Sequence, residues 1–356
     1  MRLDLMRPGA WIWMAACLAW PAGGARAEAP TPEAVVERAI AEVIRLGYER
    51  LDRAGEAQAK AFDALCQKPS ADALLTARQG FSELTQAFGA VEFIRFGPMV
   101  EGDRFERYLF WPDRRGAAQR QAQIIVNRRD ADAATSDLLP RKGAAVQGLT
   151  ALEYVLFGAG SDALASEAGA FRCRYGATIT GNLGQISDAV AEQWRGPHGI
   201  SERLLNPKPT DPAYRSTKDS LSALLTVATE GLKTIREERI RPGLDAPDEA
   251  TAANLFLFGR SGQATAMLAA DLDGIRTLLA DSGLLDLKPD TSLSPTQELG
   301  AIIVALRALG PDLGDVSETA KGEATLKETL ARIETVEAVL SREIAPALGL
   351  ASASGN

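Results

Sequence analysis

Apolar residues recur at alternating spacings of three and four along most of the chain, which is the period of one face of an α-helix. The pattern begins after Thr31-Pro32, a helix cap followed by proline at the first helical position. The main apolar segments are Val36 to Leu51, Leu74 to Val91, Phe171 to Trp194, Leu221 to Ile235, Leu268 to Leu279, Leu299 to Leu309 and Leu326 to Ile344. Residues 124–126 form a brief β-branched run that fits a helix as well as a strand. The sequence therefore predicts an all-α fold.

Turn-forming residues interrupt the helical pattern between Gly196 and Pro212, where glycines and prolines collect. Two sets of helices flank this interruption, as expected for two helical bundles joined by a connection. We therefore expect an N-terminal bundle over residues 28–200 and a C-terminal bundle over residues 201–356. A second irregular stretch, residues 95–120, carries several arginines, and long loops inside helical domains are commonly part of a site.

The first 27 residues have the three parts of a secretory signal peptide: a basic start, the apolar run 8–20, and the small-residue site Ala25-Arg26-Ala27. The apolar run is shorter than the roughly 20 residues that a helix needs to cross a bilayer. We expect cleavage before Glu28, a periplasmic location, and no transmembrane segment in the mature chain. Lipoprotein anchoring through Cys17 is the less favoured alternative.

Charge and composition exclude several kinds of partner and site. The 356 residues carry a formal net charge of −8, so neither nucleic acid nor an anionic membrane surface is a natural electrostatic partner. The chain has one histidine, His198, and three cysteines, which excludes a site built from several imidazoles or thiolates. Cys66 and Cys173 are the two cysteines that follow the signal peptide. In an oxidising compartment they either close a disulfide or pack as two buried thiols.

The most informative segment runs from Val146 to Gly158 and is strongly apolar. Within it Thr150 and Glu153 lie three positions apart, so they are neighbours on one face of a helix. Burying the Glu153 carboxylate without a partner would cost several kcal/mol or force it to take up a proton. We therefore expect an arginine, a metal or hydrogen-bond donors opposite Glu153. For Thr150 the plainest alternative is a hydrogen bond from its hydroxyl to the carbonyl of Val146 in the same helix.

This segment resembles the Gly-x-His-x-x-Glu motif of the imelysin family, which includes imelysin peptidases and iron-regulated periplasmic proteins. Gly148, Thr150 and Glu153 stand at the motif positions. Further matches are residues 92–98, 110–113, 258–261 and 346–350. The resemblance covers most of the chain after the signal peptide. It implies a periplasmic all-α protein of two related helical bundles, with the motif near their junction.

The chain departs from this motif at one position, because threonine stands where the family has histidine. A threonine hydroxyl is a poor ligand for a divalent transition metal. His198 does not obviously replace the motif histidine, since it lies in the predicted connection and is expected to be an exposed loop residue. A zinc peptidase needs three protein ligands and a general base, and the chain has no His-Glu-x-x-His segment. The sequence therefore disfavours an imelysin-type peptidase.

What remains is a candidate ligand-binding site made of polar residues from both halves of the chain. Its members are Glu92, Arg95, Gln147, Gly148, Thr150, Glu153, Arg260 and Ser261. Glu153 and Glu92 are hard oxygen ligands suited to iron, or they pair with the two arginines to shape a pocket for a small anion or chelate. The structural alternative is that Arg95 with Glu92, and Arg260 with Glu153, are ion pairs that tie the two bundles together.

Two functions of different classes follow from these observations. The first, implied by the resemblance, is a non-catalytic periplasmic component that binds iron or a ferric chelate for iron uptake. Its expected ligand is a metal ion or a small anionic chelate, and its expected protein partners are periplasmic iron-uptake or redox proteins. The second is an interaction scaffold that presents a bundle surface to a periplasmic redox or transport partner and holds no metal of its own.

Overall fold

The structure is a computed structural model that describes residues 29–113, 115–311 and 313–350; the predicted signal peptide, residues 1–27, lies outside them. The α-helices are α1 (Pro32–Arg38), α2 (Arg45–Gln67), α3 (Ala71–Glu92), α4 (Arg104–Tyr108), α5 (Ala117–Arg128), α6 (Leu149–Phe157), α7 (Ala170–Arg195), α8 (Ile200–Leu205), α9 (Thr217–Thr234), α10 (Arg241–Leu244), α11 (Glu249–Leu255), α12 (Ala264–Asp281), α13 (Pro295–Arg307), α14 (Leu313–Glu318), α15 (Ala320–Val339) and α16 (Ala345–Ala347). The described residues contain no β-strand, so the predicted all-α fold is confirmed. Within the same residues, no helix combines the length and the apolar character that crossing a membrane requires.

Short turns of 3-10 helix and π-helix join these α-helices. Turns of π-helix at Ala39–Ile44, Ile235–Ile240 and Leu340–Ile344 connect α1 with α2, α9 with α10 and α15 with α16. Turns of 3-10 helix lie at Gly97–Asp103, Ala131–Ala134, Leu139–Arg141, Ala144–Val146, Ser161–Ala165, Glu167–Gly169 and Leu285–Leu287. The irregular stretch predicted at residues 95–120 is therefore partly ordered as a 3-10 turn, α4 and the start of α5.

The core of the first half is formed by α2, α3 and α7, with α2 packed against the other two. The predicted helical period explains this packing, because it places side chains such as Leu51, Phe81 and Ile179 on inward faces, where they are fully buried. A disulfide joins Cys66, near the end of α2, to Cys173 at the start of α7, with their Cα atoms 5.6 Å apart.

The two halves of the chain are in direct contact through α3 and α12. The helices approach closely because glycines face each other's helix at the crossing. A Cβ atom at Gly274 would collide with the backbone carbonyl of Ala90, and one at Gly89 would lie 2.8 Å from Oδ1 of Asp271. The second half continues from α12 to α13, and α13 packs on α15. The domain boundary near residue 200 stays a prediction.

The predicted connection at residues 196–212 contains a helix, α8, that its glycines and prolines conceal. The Ser201 hydroxyl donates a hydrogen bond to the carbonyl of Trp194 at 2.8 Å, and this fixes α8 against the end of α7. Arg203 binds both carboxylate oxygens of Asp211 at 2.8 and 2.9 Å. Local hydrogen bonds therefore order a segment whose composition alone predicts a plain connection.

Candidate functional site

Helix α6 carries the motif residues and is buried along nearly its whole length. Its apolar side chains explain the burial, and Gly148 at its N-terminus allows it. A Cβ atom at Gly148 would lie 2.5 Å from the carbonyl oxygen of Tyr108 and 2.7 Å from that of Arg107. Because only glycine lacks this atom, Gly148 lets the backbone of α6 pass directly over the end of α4.

Glu153 projects from α6 toward the turn that precedes α12, and that turn satisfies its carboxylate. Oε1 accepts a hydrogen bond from the backbone N–H of Ser261 at 3.0 Å and another from the Ser261 hydroxyl at 2.8 Å. Oε2 lies 3.5 Å from Nη1 of Arg260. The expectation that the buried Glu153 carboxylate is faced by an arginine and hydrogen-bond donors therefore matches the geometry.

Burial and pairing act on the Glu153 carboxyl in opposite directions. The residue is 6% exposed, and loss of solvation raises its pKa above the ordinary value. The Arg260 charge and the two hydrogen bonds from Ser261 act to lower that pKa without cancelling the effect of burial. The carboxylate is thus engaged on both oxygens and costly to ionise, which makes it a poor free ligand for a cation.

A cavity of about 490 Å³ opens beside Glu153 and is bounded by both halves of the chain. Its lining residues are Trp111, Asp113, Gly116, Ala118, Gln119, Arg120, Thr150, Glu153, Thr251, Asn254, Leu255, Phe256, Leu257, Phe258, Gly259 and Arg260. Cavities of this size are typical of sites that bind small molecules. The sequence-predicted residues that the structure brings together here are Thr150, Glu153 and Arg260, with Ser261 bound to Glu153 behind them.

The charged groups that line this cavity are the carboxylates of Asp113 and Glu153 and the guanidinium groups of Arg120 and Arg260. Arg260 donates to the side-chain oxygen of Gln119 at 2.6 Å, and Arg120 is exposed at the same wall. Asp113 is occupied as the cap of α5, because its two oxygens accept from the backbone N–H groups of Ala117 and Ala118 at 2.7 and 2.8 Å. Glu153 is paired with Arg260. Arg120 donates to the backbone carbonyl of Arg115 and pairs with no carboxylate among the described residues, so its charge is the one that a ligand at this wall would meet.

Thr150 borders the cavity, but its hydroxyl does not act as predicted. The carbonyl of Val146 accepts a hydrogen bond from the Tyr175 hydroxyl at 2.6 Å, and none from Thr150. The Thr150 hydroxyl is instead buried and has no hydrogen-bond partner among the described residues. The expected bond within the helix is therefore wrong, because Val146 belongs to a 3-10 turn that precedes α6.

Glu92 and Arg95 lie in a separate cluster at the contact of α3 with α12. Arg95 donates to Oε1 of Glu92 at 3.1 Å, and Arg239, on the π-turn after α9, pairs with the same oxygen. Asp271 on α12 completes the cluster, and its burial and the nearby Glu92 charge raise its pKa well above the ordinary value. These residues line a second cavity of about 30 Å³, enough for one water molecule. Glu92 and Glu153 thus face different cavities.

Gln147 holds the start of the motif in place. Its side-chain oxygen accepts from Nε of Arg107 at 3.0 Å, and its side-chain amide donates to the carbonyl of Lys142 at 2.7 Å. Asn182 on α7 donates to the backbone carbonyl of Gln147 at 3.2 Å and accepts from Nη2 of Arg107 at 3.0 Å. These bonds lock the segment before α6 between α4 and α7, and Gln147 is not among the residues that line the cavity.

Iron as a resident metal does not fit these residues. Both oxygens of Glu153 are bound by Ser261 and Arg260, and the hydroxyl of Thr150 is buried and is a poor ligand for a transition metal. Across the part of the chain that the structure describes, no three His, Cys, Asp or Glu side chains stand close enough to hold one ion. His198 is exposed as predicted and lines another cavity, of about 480 Å³, together with Glu101 and Glu192.

The fold and the motif together define the class of the protein. A family model described as imelysin matches residues 44–346, so the chain belongs to the imelysin family, and the resemblance found in the sequence is confirmed. No curated protein matches the chain.

Two solved structures share this fold. An imelysin-like protein from Psychrobacter arcticum 273-4 has a TM-score of 0.67 and 20% identity, over 90% of this chain and 97% of that chain. A protein described as an iron-regulated protein A precursor, from Parabacteroides distasonis ATCC 8503, has a TM-score of 0.71 and 14% identity, over 88% of this chain and 96% of that chain.

The sequence analysis does not predict several residues of the cavity beside Glu153 and of the cluster around Glu92. Gln119 and Arg120 occupy the first turns of α5, at the end of the irregular stretch that was expected to belong to a site. Arg239 stands in the charged run 236–241, which looks like a solvated helix face, although it is buried in the structure. Arg120 could have been found, since an arginine in an irregular stretch near a motif is a site candidate, and Gln119 is its neighbour in the sequence. The sequence gives no such signal for Arg239.

Proposed function

We propose that the protein binds a small anionic ferric chelate in the cavity beside Glu153, as a non-catalytic component of iron uptake in the periplasm. The observation that carries this proposal is the division of charge at the cavity. The Glu153 carboxylate is closed by Ser261 and Arg260, and that of Asp113 caps α5, whereas Arg120 carries its positive charge at the exposed wall of the cavity. Such a wall attracts a carboxylate-rich ligand and repels a bare cation.

The chelate brings its own ligands to the iron, so the protein does not need to supply them. This agrees with the replacement of the motif histidine by Thr150 and with the engaged state of Glu153. The link to iron is supported by family membership and by the name of one structural relative, an iron-regulated protein A precursor. The predicted signal peptide supports the periplasmic location.

Peptide hydrolysis has less support from the same residues. A zinc peptidase requires three protein ligands around one ion with a water in the open position, and the described residues offer no such group. A serine triad would require His198, which lies at a different cavity from Glu153. The cavity residues therefore favour binding of an intact ligand.

Isothermal titration calorimetry with the purified protein tests this proposal. The probes are ferric citrate, citrate alone, Fe(II) and Zn(II). We expect ferric citrate to saturate one site and Arg120→Ala to weaken its binding at least about tenfold, since a hydrogen bond to a charged group contributes about 1.5–3 kcal/mol. The matched control is Arg53→Ala, which removes the same charge from an exposed position on α2. No saturable binding of ferric citrate would overturn the proposal.

A further inference from the structure

The segment that carries Glu153 has a counterpart in the second half of the chain. Residues 148–163 (GLTALEYVLFGAGSDA) align without a gap with residues 249–264 (EATAANLFLFGRSGQA). The identical pairs are Thr150 and Thr251, Ala151 and Ala252, Leu156 and Leu257, Phe157 and Phe258, Gly158 and Gly259, and Ala163 and Ala264. In this alignment Asn254 stands at the position of Glu153.

The structure supports the equivalence of the two segments. Each is a short helix, α6 or α11, that precedes a long helix, α7 or α12. Two turns of 3-10 helix, Ser161–Ala165 and Glu167–Gly169, stand between α6 and α7, whereas α12 begins nine residues after the end of α11. Both short helices also meet at one place, because Thr150, Glu153, Thr251 and Asn254 all line the cavity of about 490 Å³. The cavity is therefore built from the same element of each half of the chain.

The two equivalent positions differ in what they offer a ligand. Glu153 is 6% exposed, and the turn after α11 supplies the Ser261 and Arg260 groups that engage it. Asn254 is exposed at the cavity and uncharged. The first half thus contributes a carboxylate to the cavity lining, and the second half contributes an uncharged amide at the equivalent position.

We infer that Asn254, the second-half counterpart of the motif glutamate, is a ligand-binding residue that makes the cavity selective for an oxygen-rich anion. Its amide N–H donates to a carboxylate oxygen of the ligand while Arg120 and Arg260 balance the ligand's charge. An amide at this position adds no negative charge to the cavity, whereas a carboxylate would repel the same ligand. This inference rests on the proposed function and names the determinant of its specificity.

Two substitutions of Asn254 separate the loss of a hydrogen bond from the addition of charge. Ferric citrate is titrated into the wild type, Asn254→Ala and Asn254→Asp. We expect Asn254→Ala to weaken binding about tenfold, and Asn254→Asp, which changes the shape least, to weaken it more than Asn254→Ala. Asn127→Asp is the matched control, because Asn127 is exposed on α5 and does not line the cavity, and it should bind within about twofold of the wild type. Thermal melts of each variant establish that the fold is retained.

The outcomes distinguish this inference from the proposed function. If the wild type binds ferric citrate and both Asn254 variants bind it equally well, the inference is overturned while the proposed function stands. If Asn254→Asp binds more tightly than Asn254→Ala, the assigned selectivity for anions is wrong. If the wild type does not bind ferric citrate, both are overturned.

Discussion

Ser261 donates two hydrogen bonds to one carboxylate oxygen of Glu153, at 3.0 Å from its backbone N–H and at 2.8 Å from its hydroxyl, across 108 residues of sequence. The motif glutamate of the first half is therefore held by the turn that begins the long helix of the second half. In this arrangement Glu153 joins the two halves and shapes the cavity wall.

The substitution Glu153→Gln should show how much the charge of this side chain lowers the free energy of unfolding. Burial raises the pKa of Glu153 in the folded protein above its value in the unfolded chain. Ionisation therefore lowers stability as the pH rises from the unfolded pKa through the folded one. Because Gln does not ionise, the free energy of unfolding of the variant should rise relative to that of the wild type between about pH 4 and pH 7.

Urea unfolding at a series of pH values measures this difference. Glu323→Gln is a suitable control, because Glu323 is half-exposed and pairs with Lys327 on the surface of α15. The pH profile measured for Glu153→Gln is read against the profile of this control. A difference for Glu153→Gln that falls with increasing pH would contradict the assigned direction.

Thr150→Val should leave the protein as stable as the wild type or make it slightly more stable. The Thr150 hydroxyl is buried without a hydrogen-bond partner among the described residues, and replacing it by a methyl group removes an unsatisfied polar atom. The comparison is Thr178→Val, at a site with the same 9% exposure whose hydroxyl donates to the carbonyl of Arg174 at 2.9 Å. That change should cost about 1 kcal/mol in chemical denaturation. Equal losses in both variants would show that the Thr150 hydroxyl is satisfied.

Removing the disulfide should destabilise the whole fold. The bond between Cys66 and Cys173 closes a loop with a sequence separation of 107 and ties α2 to α7. The double variant Cys66→Ser with Cys173→Ser should lose about 2–4 kcal/mol in unfolding free energy. A reductant should lower the stability of the wild type and leave the variant unchanged. If reduction affects both proteins equally, the two thiols are not bonded.

Asp271→Asn should be tolerated and should stabilise the protein at higher pH. Asp271 is 3% exposed, both of its oxygens lack a hydrogen-bond partner among the described residues, and its pKa is raised by burial and by Glu92. Its ionisation therefore lowers stability as the pH rises above the value of an unfolded aspartate. Thermal melts at pH 4 and pH 8 should show the gain at pH 8 alone.

The control for this change is Asp273→Asn, the same substitution two positions further along α12 at a more exposed site. Asp273 is partly exposed and pairs with Arg276 at 2.7 Å. Its variant should show no gain in melting temperature at pH 8. A loss of stability at pH 8 for Asp271→Asn would mean that the ionised carboxylate of Asp271 stabilises the buried cluster.

The sequence predicts local features of this protein better than contacts between distant segments. The period of apolar residues predicts α2, α3, α7 and α12, because a helix face is determined by neighbours three and four positions away. The need of Glu153 for a counter-charge could also be anticipated, since a carboxylate in an apolar helix requires one, and the resemblance of residues 258–261 to the family pointed to Arg260 as its source. Arg239 could not be assigned to Glu92, because nothing local indicates which of many arginines reaches a glutamate 147 positions away.

The failed expectation for Thr150 has the same origin. A threonine inside a helix commonly bonds the carbonyl four positions earlier, and that rule assumes that the helix extends that far. Here α6 begins at Leu149, and the carbonyl of Val146 is taken by Tyr175 from α7. The boundary of α6 and the approach of α7 both depend on tertiary packing that the sequence does not display.

The affinity of Glu153→Gln for ferric citrate, compared with that of Arg120→Ala, tests the central claim most directly. If Glu153 is a structural link and the arginines hold an anionic chelate, Glu153→Gln should bind as tightly as the wild type or more tightly, and Arg120→Ala should bind at least about tenfold more weakly. Loss of binding in Glu153→Gln together with normal binding in Arg120→Ala would contradict the account, because it would make Glu153 the ligand-binding group.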